Sequence, residues 1–86
     1  MNKQDPRYEK LQGLLKALRK KQGIRQQELA ERLGRAQSYV SKYEGGERNI
    51  DLIELIDVAK SIDLDPAVVI SELVASLFRI DARLSF

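Results

Sequence analysis

The residue types able to carry chemistry are unevenly supplied in this chain of 86 residues. It holds no cysteine and no histidine, which excludes disulfides, thiolate nucleophiles, cysteine-rich zinc sites and the imidazole base. The carboxylates Asp51, Asp57, Asp63 and Asp65 read as helix caps and solubilising charges, not as an acid–base pair or a metal cluster. No glycine-rich loop has the spacing that cradles a phosphate, and no cofactor is implied. What remains is a concentration of cations and hydrogen-bonding side chains between Ile24 and Arg48, IRQQELAERLGRAQSYVSKYEGGER. On a helix turning about 100° per residue, Ser38, Ser41 and Lys42 share one side, with Gln37 and Tyr39 on its flanks and Ala36, Val40 and Tyr43 opposite. Such a face donates and accepts hydrogen bonds and offers positive charge, but has no means of breaking a covalent bond. It points to recognition and away from an enzyme.

Charge has the same polarity along the chain. The formal net charge is +2, yet residues 1–48 carry 12 Lys/Arg against 6 Asp/Glu, while residues 49–86 carry 3 against 7. A basic first half suggests a polyanion-binding face, and the acidic second half an end directed away from it. The longest uninterrupted apolar run, Ala67 to Ile70, is far short of a membrane span or a signal-peptide core. No membrane partner is expected, and a cytoplasmic location is.

Five helices are predicted to position these residues, with no strand. Asp5-Pro6 starts the first, since Asp accepts from orphan N–H groups and Pro supplies the helical φ. Leu11, Leu14, Leu15 and Leu18 give it one buried stripe, extended by Tyr8. It runs to about Gln22, where Gly23 ends it. Gln26 to Leu33 forms the second helix and Ala36 to Glu44 the third, with Gly34 at the break because a residue without Cβ reaches positive φ without a clash. Two short helices around such a turn are a helix-turn-helix, whose second helix can lie in the DNA major groove. Asp51 and Glu54 have capping-box spacing for a fourth helix with a stripe of Leu52, Ile53, Leu55, Ile56 and Ala59. Asp65-Pro66 opens a fifth, whose apolar face is Val69, Ile70, Leu73, Val74 and Leu77. Phe78 to Phe86 fits no period.

The motifs LKALRKKQGI, QQELAERLG, QSYVSKYEGGER and NIDLIELIDVAKSIDLDP together resemble the helix-turn-helix domains of the Cro and phage-repressor type, the XRE family, over roughly Leu14 to Leu73. The resemblance implies an all-α, compact five-helix, lambda-repressor-like domain over residues 1–72, with residues 73–86 as the end of helix five and a tail. It implies double-stranded DNA as partner. Gln37, Ser38 and Lys42 match positions that reach base edges, and their chemistry suits this: Gln37 can pair with adenine, Lys42 can donate to guanine, and Ser38 can do either. Gln26 matches a phosphate-contacting glutamine, Tyr39 and Ser41 match positions that meet phosphate or a thymine methyl, and Arg48 and Asn49 match a phosphate-clamping loop. Arg19 and Glu44 match a structural ion pair. The sequence departs from the family at Arg25 and Ala36, where a capping Ser or Thr is usual; Arg25 and Arg35 are the expected compensating phosphate contacts.

The tail either packs onto its own domain or forms a two-fold interface, and the family favours dimers. Leu73, Leu77, Phe78, Ile80, Leu84 and Phe86 are the expected interface residues. The sequence thus predicts a homodimeric regulator, a repressor, on a palindromic operator. The alternative is a protein-interaction module, such as an antitoxin or polymerase-associated factor, whose C-terminal helix binds a partner protein.

Overall fold

Three of the five helices begin at an aspartate. In the computed structural model, which describes residues 5–78, α1 spans Pro6–Lys21, α2 Gln26–Leu33, α3 Gln37–Glu44, α4 Leu52–Ser61 and α5 Pro66–Leu77. Asp5 accepts from the Arg7 N–H and Asp65 from the Ala67 N–H, both at 2.9 Å. Arg7 hydrogen-bonds Asp5 through its side chain as well, and these bonds hold the Asp5 carboxyl down at about 2. At α4 the capping box is complete: Asp51 Oδ1 accepts from the Glu54 N–H at 2.8 Å, and Glu54 Oε1 accepts from the Asp51 N–H at 3.0 Å. Each cap satisfies donors that the first helical turn leaves orphaned.

Every helix sends a fully buried side chain to one core: Leu15 from α1, Leu29 from α2, Val40 and Tyr43 from α3, Ala59 from α4 and Val69 from α5, with Ile62 just beyond α4. The helix-turn-helix pair α2 and α3 packs together, α1 lies against α3 and α5, and α4 against α2 and α5. Two positive-φ glycines make the sharp reversals. Gly23 (φ 74°) follows the end of α1 at Lys21, and Gly34 (φ 69°, ψ 34°) closes α2 before the chain turns into α3.

Some facial assignments from the periodicity change. Helix α3 starts at Gln37, with Ala36 as its extended N-cap (ψ 151°), so Ala36 is exposed and not on the buried side. On α4 the inward residues are Leu55, Val58 and Ala59. Ile53 points off that stripe and is 65% exposed, and Leu52, in the first turn, is 60% exposed. On α5, Leu73 and Leu77 are half-buried, while Ile70 and Val74 are exposed. Ile80, Leu84 and Phe86 lie outside the described residues.

Candidate nucleic-acid interface

The outer face of α3 is anchored from below by a buried charge. Arg19, in the last turn of α1, donates from Nε to Glu44 Oε2 at 2.7 Å and from Nη2 to Glu44 Oε1 at 2.9 Å. Its third bond, from Nη1, goes to the Ile24 carbonyl at 2.7 Å, so one guanidinium joins α1, the loop before α2 and the end of α3. The side chains are only 7% and 2% exposed. Hydrogen bonding to Glu44 raises the Arg19 pKa against the opposing effect of burial. Glu44 Oε1 also accepts from Gln26 Nε2 at 2.9 Å, which orients the first residue of α2. The Gln26 Oε1 so exposed lies 3.5 Å from Gln37 Nε2. A chain of polar contacts therefore runs from α1 through Glu44 and Gln26 to the first residue of α3.

Gln37, Ser38, Ser41 and Lys42 are all exposed. Ser41 Oγ donates to the Ser38 carbonyl at 3.3 Å, and Lys42 makes no ion pair among the described residues. Beside this row Tyr39 is half-buried against the core and stacked edge-on to Tyr43 at 5.5 Å. Arg35 and Arg48 both lie over its ring, with their guanidinium carbons 4.2 and 4.9 Å from the centroid. Burial pushes the Tyr39 hydroxyl pKa up, helped by the nearby Glu54 carboxylate and opposed by the two arginines. Asn49 is held from α1, since Gln12 Nε2 donates to its Oδ1 at 3.3 Å.

The helix termini add a second kind of acceptor-seeking group. Arg25 and Ala36, the N-caps of α2 and α3, make no side-chain capping bond, unlike the three aspartate-capped helices. The first N–H groups of both helices therefore have no side-chain cap within the chain, and a helix N-terminus favours an anionic acceptor. The structure thus brings Arg25, Gln26, Arg35, Gln37, Ser38, Tyr39, Ser41, Lys42, Arg48 and Asn49 onto α2, α3 and the segment that follows.

Two residues behind this face were not singled out from the sequence as belonging to it. Gln12 is buried beside the leucine stripe of α1 and reaches the Arg48 carbonyl as well as Asn49. Its signal is a polar residue next to Leu11 and Leu15, which the periodicity does not distinguish from an exposed one. The sequence spacing of Glu54 specifies only a capping box, yet it pairs with Arg35 and Arg48.

The interface residues expected on α5 divide into two strips. Leu73 and Leu77 line, with Tyr8 and Leu11, a groove of about 240 Å³ between α5 and α1. Ile70, Val74 and Phe78, four residues apart, form the more exposed strip at 37, 47 and 51%.

Five helices around one core, with a short glycine turn between α2 and an exposed polar α3, define a helix-turn-helix domain. A family model described as helix-turn-helix matches residues 15–69. The chain belongs to the XRE family of helix-turn-helix proteins, the Cro and phage-repressor type. It is similar to an XRE-family like protein from Pseudomonas syringae pv. tomato, with 46% identity and a TM-score of 0.79 over 85% of this chain and 89% of that one. It is also similar to the restriction-modification controller protein C.AhdI from Aeromonas hydrophila, at 32% identity and a TM-score of 0.66 over 72% of this chain and 94% of that one. The clp gene regulator ClgR from Corynebacterium glutamicum shares 25% identity and a TM-score of 0.74 over 92% and 84% of the two chains. No curated protein matches the sequence. Among the described residues no helix is long and apolar enough to cross a membrane.

Proposed function

We propose that this protein is a sequence-specific transcriptional regulator that binds a palindromic operator as a homodimer and represses by occupying a promoter. The observation that carries the reading is the exposed row Gln37, Ser38, Ser41 and Lys42 on a helix whose far end is locked by the buried Arg19–Glu44 pair. A rigidly held polar helix loses little entropy on entering a groove. Gln37, Ser38 and Lys42 read base edges. Gln26, Arg25, Arg35, Tyr39, Ser41, Arg48 and Asn49 contact the backbone and set the register of α3 on the duplex. Two of the similar proteins are named as regulators, one of clp genes and one of a restriction–modification system, which supports a regulatory role here.

The exposed strip Ile70, Val74 and Phe78, beside Leu73 and Leu77, is the surface for a second copy. Two half-sites one DNA turn apart require the two α3 helices of such a dimer to sit roughly 34 Å apart. The same apolar strip, together with Leu52 and Ile53, favours a second reading, in which a different protein docks on α5 and DNA contact is subsidiary. One experiment separates them: selection of bound fragments of the source genome at physiological salt with excess competitor DNA. Enrichment of a short inverted repeat is the expected result. No enrichment would refute sequence-specific regulation and leave the protein-docking reading.

A further inference from the structure

Glu54 is a carboxylate set among the cations of the DNA face. Its side chain is 13% exposed, beneath Arg48 at 37% and Arg35 at 47%, so the two guanidiniums form the outer layer and the carboxylate the inner one. Arg48 Nη2 hydrogen-bonds Glu54 Oε2, and Arg35 Nη2 lies 3.7 Å from the same oxygen. The other oxygen accepts the Asp51 N–H at 3.0 Å, which ties the carboxylate to the start of α4. Both arginines also rest on the Tyr39 ring, at 4.2 and 4.9 Å. Each guanidinium is therefore held by an aromatic face and one acidic oxygen. A guanidinium has five N–H donors, and only Nη2 of each faces Glu54, so the others stay available to an incoming phosphate.

Resting on the DNA-binding reading, we infer that Glu54 is a positioning residue that sets specificity. It fixes Arg35 and Arg48 on Tyr39 and cancels one of their two positive charges. The physical reason is that the two kinds of binding draw on different properties. Affinity for DNA of any sequence comes from neutralised phosphates and follows the local charge. Affinity for an operator also needs the arginines in register with phosphates while α3 reads bases. A partly buried counter-charge lowers the first and, by pre-organising the cations, supports the second. Glu54 itself touches no DNA in this arrangement and acts through Arg35 and Arg48.

The test is Glu54→Gln. Glutamine at the third helical position preserves the capping box, so the change removes charge without removing the α4 start. Glu72→Gln, on exposed α5, is the control with the same change in net charge. Binding of a random-sequence duplex and of the duplex selected by the wild-type protein is measured across a salt series. Glu54→Gln is expected to tighten random-duplex binding about three- to tenfold and to steepen its salt slope by up to about 1. Preference for the selected duplex should fall at least about threefold, while Glu72→Gln changes neither. In nitrogen-15 spectra the Arg35 and Arg48 Nε–H signals should be ordered in the wild type and lose that order in Glu54→Gln. Equal effects of the two variants, or unchanged preference and guanidinium order in Glu54→Gln, would overturn the inference alone. Failure of the wild-type protein to bind any duplex would overturn the DNA-binding reading, and this inference with it.

Discussion

Replacing Glu44 with Gln should unfold more of this domain's stability than any surface change. The Glu44 carboxylate, 2% exposed, accepts three hydrogen bonds: two from Arg19 at 2.7 and 2.9 Å and one from Gln26 at 2.9 Å. An amide carries one oxygen instead of two, so its NH2 group must face a donor of Arg19 or Gln26. It also strips the counter-charge from an Arg19 guanidinium that is 7% exposed, leaving one neutral amide oxygen and the Ile24 carbonyl as its acceptors. Removing one partner of a buried pair costs about 3–5 kcal/mol because the other charge stays desolvated. A domain of this size has about 4–13 kcal/mol in total, at about 0.05–0.15 kcal/mol per residue. The loss is then at least about a fifth of what holds the fold. Urea unfolding followed by circular dichroism should show a lower midpoint with an unchanged slope. The double variant Arg19→Met/Glu44→Leu should cost clearly less than the two single changes added, since it leaves no charge stranded. A loss below about 1 kcal/mol, the range of solvent-exposed pairs, or strict additivity in the double variant, would refute the argument that this pair is a desolvated anchor.

Lys42→Ala should relax base preference at one operator position and cost about 1–3 kcal/mol there; uniform weakening across sequences would place Lys42 on phosphate. Ala36→Ser supplies the side-chain cap that α3 lacks and should stabilise the free protein by about 1 kcal/mol, a rise of about 4–8 °C in Tm for a domain this small. An unchanged Tm would mean that the first turn of α3 is already satisfied. Val74→Asp puts a charge on the exposed strip of α5 without entering the groove under Leu73 and Leu77, and should convert a dimer to a monomer in sedimentation while leaving Tm within a few degrees. A persisting dimer would move the interface elsewhere.

Local chemistry made much of this architecture legible before any contact was known. Asp5-Pro6, Asp51 with Glu54, and Asp65-Pro66 announce helix starts because capping needs only residues within one turn. Gly23 and Gly34 announce reversals because only backbone conformation is at stake there. The leucines of α1 and the division of α3 into a buried Val40–Tyr43 side and a polar Ser38–Ser41–Lys42 side follow from helical periodicity. The ion pair of Arg19 and Glu44 is legible only through family resemblance, since 25 residues separate its members.

Periodicity failed where burial depends on how far a neighbour extends. Leu52 has the right azimuth on α4 yet is exposed in its first turn, and Ile70 and Val74 are apolar on a strip that no part of the described domain covers. Polar partnerships across the fold were equally invisible. Gln12 meets Asn49 and Gln26 meets Glu44 only because segments distant in sequence are packed together there. Glu54 shows the division most clearly. Its spacing from Asp51 specifies a cap, a matter of three residues in one turn. Its grip on Arg35 and Arg48 over the ring of Tyr39 exists only once α2, α3 and α4 are packed, because hydrogen bonds and charge act over a few ångströms of space and take no account of distance along the chain.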